Sequence, residues 1–276
     1  GKSWVNDIGI FLLLTFLGLF MIAPIYIAVV TSLKPVQEIF IMPPHLYAIN
    51  PTGDNFKDLF TVANNSWVPF SRNVFNSIFV TVAATLLHVI FVCMASFILA
   101  KCKFPGVKLL NKIVVIALLF NSTVTYIMQY IVMAQLGMIN TYSALILPLI
   151  STSMGLFLMI QSVGQIPDAM IEAAKVDGAG LMRICWGIVM PNSKPAIMTI
   201  IIFQFQAAWN STGGNLVYDE ALKTIPTVVQ QIAAAGIARQ GAIAASAVVL
   251  MVPPLAIFIA AQSNVMETMA HAGMKD

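Results

Sequence analysis

The residues best placed for a chemical or mechanical role lie in one charged, turn-rich segment, 166–195, between long uncharged apolar stretches. In it, Glu172-Ala173-Ala174 is followed after three residues by Gly178, and after nine more by Ile188, one residue before Met190-Pro191. A short helix of this kind offers small side chains for close packing and a charge that can pair with a partner's arginine or lysine. The spacing therefore predicts a docking site for another protein on residues 166–191, which we call the docking segment.

The first helix of the docking segment is expected to have two distinct faces. Pro167 suits the first helical position, where its missing N–H costs nothing. At about 100° per residue, the charged face consists of Asp168, Glu172 and Lys175, and the opposite face consists of Met170, Ala173, Ala174 and Asp177. Gly178 and Gly180 can end this helix, and a second short helix, 181–190, is expected to stop at Pro191. An ordinary amphipathic interfacial helix is the alternative, and only the Glu–Gly–Ile–Pro spacing favours docking over it.

Catalytic chemistry has little support elsewhere in the chain. No stretch contains the complete phosphate-binding loop GxxxxGK[ST]. His88 is the lone ionisable candidate inside a predicted span, and a contact within the helix bundle explains it better than proton coupling. Three cysteines without metal-ligand spacing are expected to be free thiols. The chain is therefore expected to be non-catalytic and to take its energy from a partner.

The elements that carry the docking segment are predicted to cross a membrane. The chain has 276 residues, of which 59% are hydrophobic and 9% charged, against about 25% charged in a soluble domain. A spanning helix needs about 20 apolar residues. The long intervals without Lys, Arg, Asp or Glu are 8–33, 73–100, 113–167, 195–218 and 240–266. The third is long enough for two helices with a break near 137–141, which makes six spans.

The expected architecture is all-α, a single transmembrane domain over 1–276 with both termini on one side. The spans are expected at about 8–33, 73–100, 113–135, 142–163, 195–210 and 241–264, with external loops 34–72 and 211–239. Pro24 is expected to kink the first span and Pro253-Pro254 to break the last. The first stretch is too long for the apolar region of a cleavable signal peptide.

The distribution of basic residues orients the spans. The loop 101–112 holds Lys101, Lys103, Lys108 and Lys112 and no acid. Placing it in the cytoplasm puts nine of the 14 basic residues inside and leaves five outside, as the positive-inside rule requires. The docking segment and both termini are then cytoplasmic. The net charge of +3 reflects this bias and does not suggest nucleic acid.

The docking segment closely resembles the EAA loop of the permease subunits of ABC importers, with Met190 where leucine is usual. Further short motifs, in the same order, look like those of the carbohydrate-uptake permeases, similar to the smaller, six-span maltose-importer type. They are Phe75-Asn76-Ser77, Ala95-Ser96-Phe97, Phe104-Pro105-Gly106, Asn140-Thr141-Tyr142, Ala144-Leu145, Pro148, Trp209-Asn210 and the tail 270–275. The stretch Thr212-Gly213-Gly214-Asn215 departs from that family's pattern.

The resemblance implies the type I ABC importer permease fold with a cytoplasmic coupling helix. It implies a second homologous permease chain, two copies of a cytoplasmic ATPase subunit that binds ATP and Mg, and an extracytoplasmic solute-binding protein. No cofactor is expected on this chain. The implied coupling residues are Glu172, Ala173, Ala174, Asp177, Gly178 and Pro191. Glu172 would form a salt bridge in the ATPase cleft, and Gly178 would provide the turn.

A candidate path for a solute follows from neutral hydrogen-bonding and aromatic residues in the predicted spans. They are Asn121, Ser122, Tyr126, Gln129, Tyr130, Gln204, Trp209 and Asn210. Interhelical hydrogen bonds are the competing explanation for each. A neutral path fits a sugar or oligosaccharide better than an amino acid or phosphate, and a uronic acid sugar also stays open.

Three other functions remain open from the sequence. The chain can be an ABC permease for a non-sugar solute, which the carbohydrate-like motifs disfavour. It can be a self-sufficient secondary transporter or channel, which the docking segment and the lack of intramembrane Lys, Arg, Asp and Glu disfavour. It can also be a structural or assembly protein of the membrane, which uptake surviving its loss would support.

Overall fold

The computed structural model describes residues 4–64, 68–120, 122–234, 236 and 239–273. Every regular element in these ranges is helical. The α-helices are α1 (Trp4–Ser32), α2 (Val36–Ile39), α3 (Asp54–Asn64), α4 (Phe70–Lys101), α5 (Val107–Ala117), α6 (Ser122–Gln135), α7 (Tyr142–Ile150), α8 (Ser153–Gly164), α9 (Asp168–Val176), α10 (Leu181–Ile184), α11 (Met190–Asn192), α12 (Lys194–Trp209), α13 (Ile225–Ala234) and α14 (Gln240–Gly273). A π-helical turn, Cys185–Val189, joins α10 to α11, and two 3-10 turns cover Gly214–Leu216 and Glu220–Leu222.

Four stretches in the described ranges are long and apolar enough to cross a membrane. They are Ile8–Ser32, Phe70–Lys101, Tyr142–Gly164 and Gln240–Gln262, and they match predicted spans one, two, four and six. A fifth candidate is a bent pair, Leu181–Asn192 with Lys194–Trp209. Predicted span three falls on α5 and α6, of 11 and 14 residues, on either side of residue 121, which lies outside the described part. The count of six spans therefore stays a prediction.

One of the expected proline effects differs from what the structure shows. α14 continues through Pro253 and Pro254, so the predicted break in the last span is wrong. α1 also continues through Pro24, and the kink expected there stays a prediction. A proline removes one N–H from the helix, and a membrane helix tolerates this loss because small local adjustments pair the freed carbonyl again.

Contacts between residues group the chain into two compact units. The first unit is Gly1–Phe70 with Val228–Val252. Its core packs α3, α13 and the start of α14 through Leu59, Ile232, Ala242 and Ala245. Asn55 is buried there and donates to the carbonyl oxygens of Ser32 and Lys34 at 2.8 and 2.7 Å. A Cβ on Gly241 would lie 2.0 Å from Asn55 Oδ1, so a glycine is required at this close approach.

The second unit is Ser71–Thr227 with Pro253–Asp276, and its largest core joins the docking segment to the spans. One buried cluster contains Val92, Cys93 and Phe97 of α4, Met159 and Val163 of α8, Ile171 and Ala174 of α9, Ile184, Cys185, Val189 and Met190 of the 181–192 stretch, and Ala196 and Ile200 of α12. Interiors of this kind are closely packed and transmit displacement. α9 therefore packs in one core with α4, α8 and α12.

The span Tyr142–Gly164 is interrupted inside the second unit. α7 contains Pro148 and ends at Ile150, and α8 begins at Ser153, so the last carbonyls of α7 need donors from other helices. Gln204 of α12 donates its Nε2 to Leu149 O at 2.6 Å. Nδ1 of His88 lies 2.7 Å from Ile150 O, and this nitrogen must carry the proton because a carbonyl only accepts. His88 is thus a bundle contact, as its isolation in the sequence indicated.

His88 fits only because its neighbour on α8 has no side chain. A Cβ built on Gly155 would lie 2.3 Å from His88 Nε2 and 2.9 Å from His88 Cε1. The ring is 1% exposed and is fixed by its bond to Ile150 O. Gly155 and His88 are therefore a matched pair that sets how closely α4 and α8 approach.

Candidate functional site

The docking segment begins with α9, which is anchored on one side and open on the other. Its buried residues are Ile171 and Ala174, which belong to the core shared with α4, α8 and α12. Glu172 and Ala173 are exposed between them. α9 therefore presents Glu172 and Ala173 outward while Ile171 and Ala174 are held by the protein's own core.

The structure places the predicted coupling residues in two different environments. Glu172, Ala173, Asp177, Gly178 and Pro191 are exposed, so they are accessible to a partner. Ala174 is 8% exposed and packs inside this chain. The face predicted to lie opposite the charged one is therefore partly exposed and partly buried. Ile171 packs into the core, and Ala174 on the same side of α9 is buried with it, whereas Met170, Ala173 and Asp177 are exposed.

Gly178 ends α9 in the way that its residue type predicted. Its φ is +79°, a left-handed conformation that glycine adopts without steric cost. The N–H of Gly178 donates to Lys175 O at 3.0 Å, and the N–H of Ala179 donates to Ala174 O at 2.9 Å. These two bonds form a Schellman motif, which reverses the chain directly after α9.

The second half of the docking segment continues past the predicted stop at Pro191. The helical path runs from Leu181 to Asn192 and bends by 85° into Lys194–Trp209, with the break at Ser193. Pro191 lacks the N–H that would bond to the fourth residue before it, Gly187, and the backbone around Gly187 adopts the π turn. The prediction that Pro191 ends the helix is therefore wrong, and the bend lies at Ser193, between Asn192 and Lys194.

A pairing between distant residues, which the sequence did not indicate, fixes the start of α9. Lys101 Nζ, at the end of α4, lies 2.7 Å from Asp168 Oδ1 and 2.5 Å from Ile166 O. The hydrogen bond from Lys101, followed by its charge, lowers the pKa of Asp168. The two residues are 67 positions apart, so no local pattern links them. They line a cleft of about 380 Å³ together with Cys102, Lys103, Ile171, Glu172 and Lys175.

The predicted path residues of span five are engaged in contacts within the chain. Gln204 is 3% exposed and accepts from Thr152 Oγ1 at 3.1 Å, in addition to its bond to Leu149 O. Trp209 is buried and stacks on Phe205, with ring centroids 6.0 Å apart. Asn210 is exposed and donates to Gln206 O at 2.9 Å. The structure thus supports an interhelical role for Gln204.

The predicted path residues of span three differ in what the structure describes of them. Asn121 lies outside the described residues, and of Ser122 only the backbone is described. Tyr126 accepts a hydrogen bond from the N–H of Asn215 at 2.7 Å. Tyr130 is 40% exposed, and Gln129 is half-buried. Tyr126 is therefore attached to the segment after α12, while Tyr130 stays accessible.

A buried polar stripe on α4 holds the segment 211–227. Asn76 donates to the carbonyl oxygens of Ala221 and Lys223 at 2.9 and 3.0 Å, and Ser77 Oγ accepts from the N–H of Ile225 at 2.7 Å. On the other side, Asn140 Oδ1 accepts from the N–H groups of Tyr218 and Asp219. Residues 212–215, which depart from the family pattern, thus lie in a segment that is held by hydrogen bonds.

A second cavity opens beside α9, between α8 and α12. Its volume is about 440 Å³, and its lining consists of Leu158, Gln161, Ser162, Gln165, Ile166, Pro167, Met170, Asn192, Pro195, Ala196 and Thr199. The polar members of this lining are amides and hydroxyls, and none carries a charge. Such a lining is suited to a neutral hydrogen-bonding group.

Comparison with known proteins shows the family to which the chain belongs. A family model described as a binding-protein-dependent transport system inner membrane component matches residues 61–269. The chain is 27% identical to the sn-glycerol-3-phosphate transport system permease protein UgpE of Yersinia enterocolitica, over 88% of this chain and 89% of that protein. It is 30% identical to Protein LplC of Bacillus subtilis, over 73% of this chain and 65% of that protein.

A solved structure shows the same fold. It is a bacterial ABC transporter involved in the import of the acidic polysaccharide alginate, and the match has a TM-score of 0.78 at 19% identity, covering 95% of this chain and 98% of that chain. The family match includes the whole docking segment and the helices α4 to α12 that support it. The chain is therefore an all-α, multi-pass inner-membrane permease, and it belongs to the family of inner membrane components of binding-protein-dependent transport systems.

Proposed function

We propose that this chain is the non-catalytic permease subunit of an ATP-driven importer and forms half of the translocation path for a sugar or oligosaccharide. The observation that carries the proposal is the arrangement of α9. Its outer edge presents Glu172 and Ala173, while Ile171 and Ala174 on its inner edge belong to the core that contains α4, α8 and α12. A partner that moves α9 would therefore move the ends of three spans.

This arrangement and the family support a specific set of partners. A second homologous permease would complete the path, two copies of a cytoplasmic ATPase would bind ATP and Mg, and an extracytoplasmic binding protein would deliver the solute. Glu172 would pair with a basic residue of the ATPase, since it is exposed beside the small Ala173. The docking segment and both termini would face the cytoplasm.

A polyhydroxylated solute is supported by two independent features. UgpE is named for sn-glycerol-3-phosphate and the solved transporter for alginate, and both of these solutes carry hydroxyl groups. The polar residues that line the cavity between α8 and α12 are uncharged amides and hydroxyls, set among apolar side chains. These features favour a carbohydrate. An anionic polyol is the second candidate, because both named solutes are acidic.

The test is uptake into vesicles that contain the purified complex, with Glu172→Lys as the variant. Reversing the docking charge is expected to separate ATP hydrolysis from uptake while the permease stays inserted. Asp58→Lys is the matched control, because Asp58 is an exposed acid of α3, outside the docking segment. Normal uptake by the Glu172→Lys complex would show that α9 is not the coupling helix.

A further inference from the structure

Lys101 differs from the other basic residues near the docking segment because its ammonium group is enclosed. Its side chain is 7% exposed, whereas Lys103 and Lys175 are exposed. The ammonium lies 3.3 Å from Gly164 O, 2.5 Å from Ile166 O and 2.7 Å from Asp168 Oδ1. An ammonium has three protons to donate, and three oxygens surround it here.

These three oxygens belong to consecutive parts of the chain at one corner. Gly164 is the last residue of α8, Ile166 lies in the connection, and Asp168 is the first residue of α9. Lys101 itself is the last residue of α4. One charged group therefore ties the end of one span to the end of another and to the first turn of α9.

Lys101 supplies a restraint that the apolar contacts of α9 do not. Ile171 and Ala174 hold α9 against the core by packing, which is non-directional. Hydrogen bonds from an ammonium to a carboxylate and to carbonyls are directional, and charge makes them stronger than neutral ones. Lys101 thus fixes the angle at which α9 leaves α8, while the apolar residues hold it against the bundle.

A lysine kept only for membrane orientation would not need this environment. The positive-inside rule is satisfied by an ammonium in water, as Lys103 shows in the same loop. Enclosing a charge is unfavourable unless it is paired and hydrogen-bonded. The enclosed position of Lys101 therefore indicates a mechanical role beyond topology.

We propose that Lys101 is a positioning residue for energy coupling, which transmits displacement of α9 to the ends of α4 and α8. This inference rests on the proposed function, in which an ATPase moves α9. Without Lys101, α9 would pivot on its apolar contacts, and part of its movement would be lost at the corner. ATP hydrolysis would continue, but less solute would cross for each ATP hydrolysed.

The experiment compares Lys101→Met, Lys101→Arg and the control Lys103→Met in the full complex in lipid vesicles. The measured quantity is solute transported per ATP hydrolysed, together with the amount of assembled complex. Lys101→Met is expected to lower this ratio severalfold. Lys101→Arg, which keeps the charge, should recover much of it, and Lys103→Met should match wild type. A wild-type ratio for an assembled Lys101→Met complex would overturn the proposal.

A second variant keeps the test decisive if Lys101→Met does not assemble. Asp168→Ala leaves Lys101 and both carbonyls in place and removes one of the three bonds, so the ratio should fall by a smaller factor. An unchanged ratio in an assembled Asp168→Ala complex would also overturn the proposal. If Glu172→Lys abolishes uptake while both corner variants behave as wild type, the inference fails and the proposed function stands. If Glu172→Lys is also normal, the proposed function fails.

Discussion

The substitution Gly155→Ala is the most direct test of the close contact between α4 and α8. The added Cβ would lie 2.3 Å from His88 Nε2, far inside van der Waals contact, and the buried ring is held by its bond to Ile150 O at 2.7 Å. Overpacking costs about 1–3 kcal/mol, and losing the bond from His88 costs about another 1 kcal/mol. Replacing a helical glycine with alanine stabilises a helix by about 1 kcal/mol. The net loss of stability is expected to be about 1–3 kcal/mol.

The assay is equilibrium unfolding of the purified chain in detergent, with a matched control on the same helix. A Cβ on Gly164 would meet no atom within 4 Å, so Gly164→Ala should be neutral or slightly stabilising. In a His88→Ala background the clash is absent, and Gly155→Ala should lose most of its cost. Equal effects of Gly155→Ala with and without His88 would refute the matched-pair interpretation.

Three further predictions concern polar contacts. Gln204→Leu removes two interhelical hydrogen bonds and should destabilise the chain by about 1 kcal/mol. The KM for uptake should not change. A raised KM at unchanged stability would instead place Gln204 in the solute path. Tyr126→Phe removes the acceptor of the Asn215 N–H, and hydrogen exchange of that amide should quicken about tenfold; unchanged exchange would show that the bond does not hold the segment. Lys101 lowers the pKa of Asp168 in the folded chain. Ionised Asp168 therefore stabilises the fold at pH values above about 4, the ordinary pKa of a carboxyl group. This stabilisation is lost as the pH falls through the lowered pKa of the folded state. The difference in stability between wild type and Asp168→Asn should therefore shrink below about pH 4, and a constant difference down to pH 2 would contradict the ion pair.

Features set by local chemistry could be predicted from the sequence. The uncharged lengths predicted α1, α4 and α14 because a membrane span needs an apolar run of defined length. The left-handed turn at Gly178 followed from a glycine after an alanine-rich helix. The docking segment was recognisable because its residues are close in sequence and their spacing is distinctive.

Features that depend on distant residues could not be predicted in this way. Periodicity alone does not decide whether Ile171 or Met170 packs into the core. In the structure Ile171 does, and Ala174, on the same side of α9, is buried with it. Lys101 and Asp168 come together only after α4 and α8 pack side by side, as do His88 and Gly155. The sequence alone overstates the effect of the prolines of α14, because the tolerance of a membrane helix for proline depends on its surroundings.

The central claim is that α9 docks onto a cytoplasmic ATPase. The most direct measurement is to solubilise membranes of the native host in mild detergent, purify this chain and identify the proteins that accompany it. The account predicts one second permease with an EAA loop and two copies of an ATPase for each copy of this chain. Recovery of the chain alone, or as a homo-oligomer without an ATPase, would contradict it and favour a self-sufficient channel.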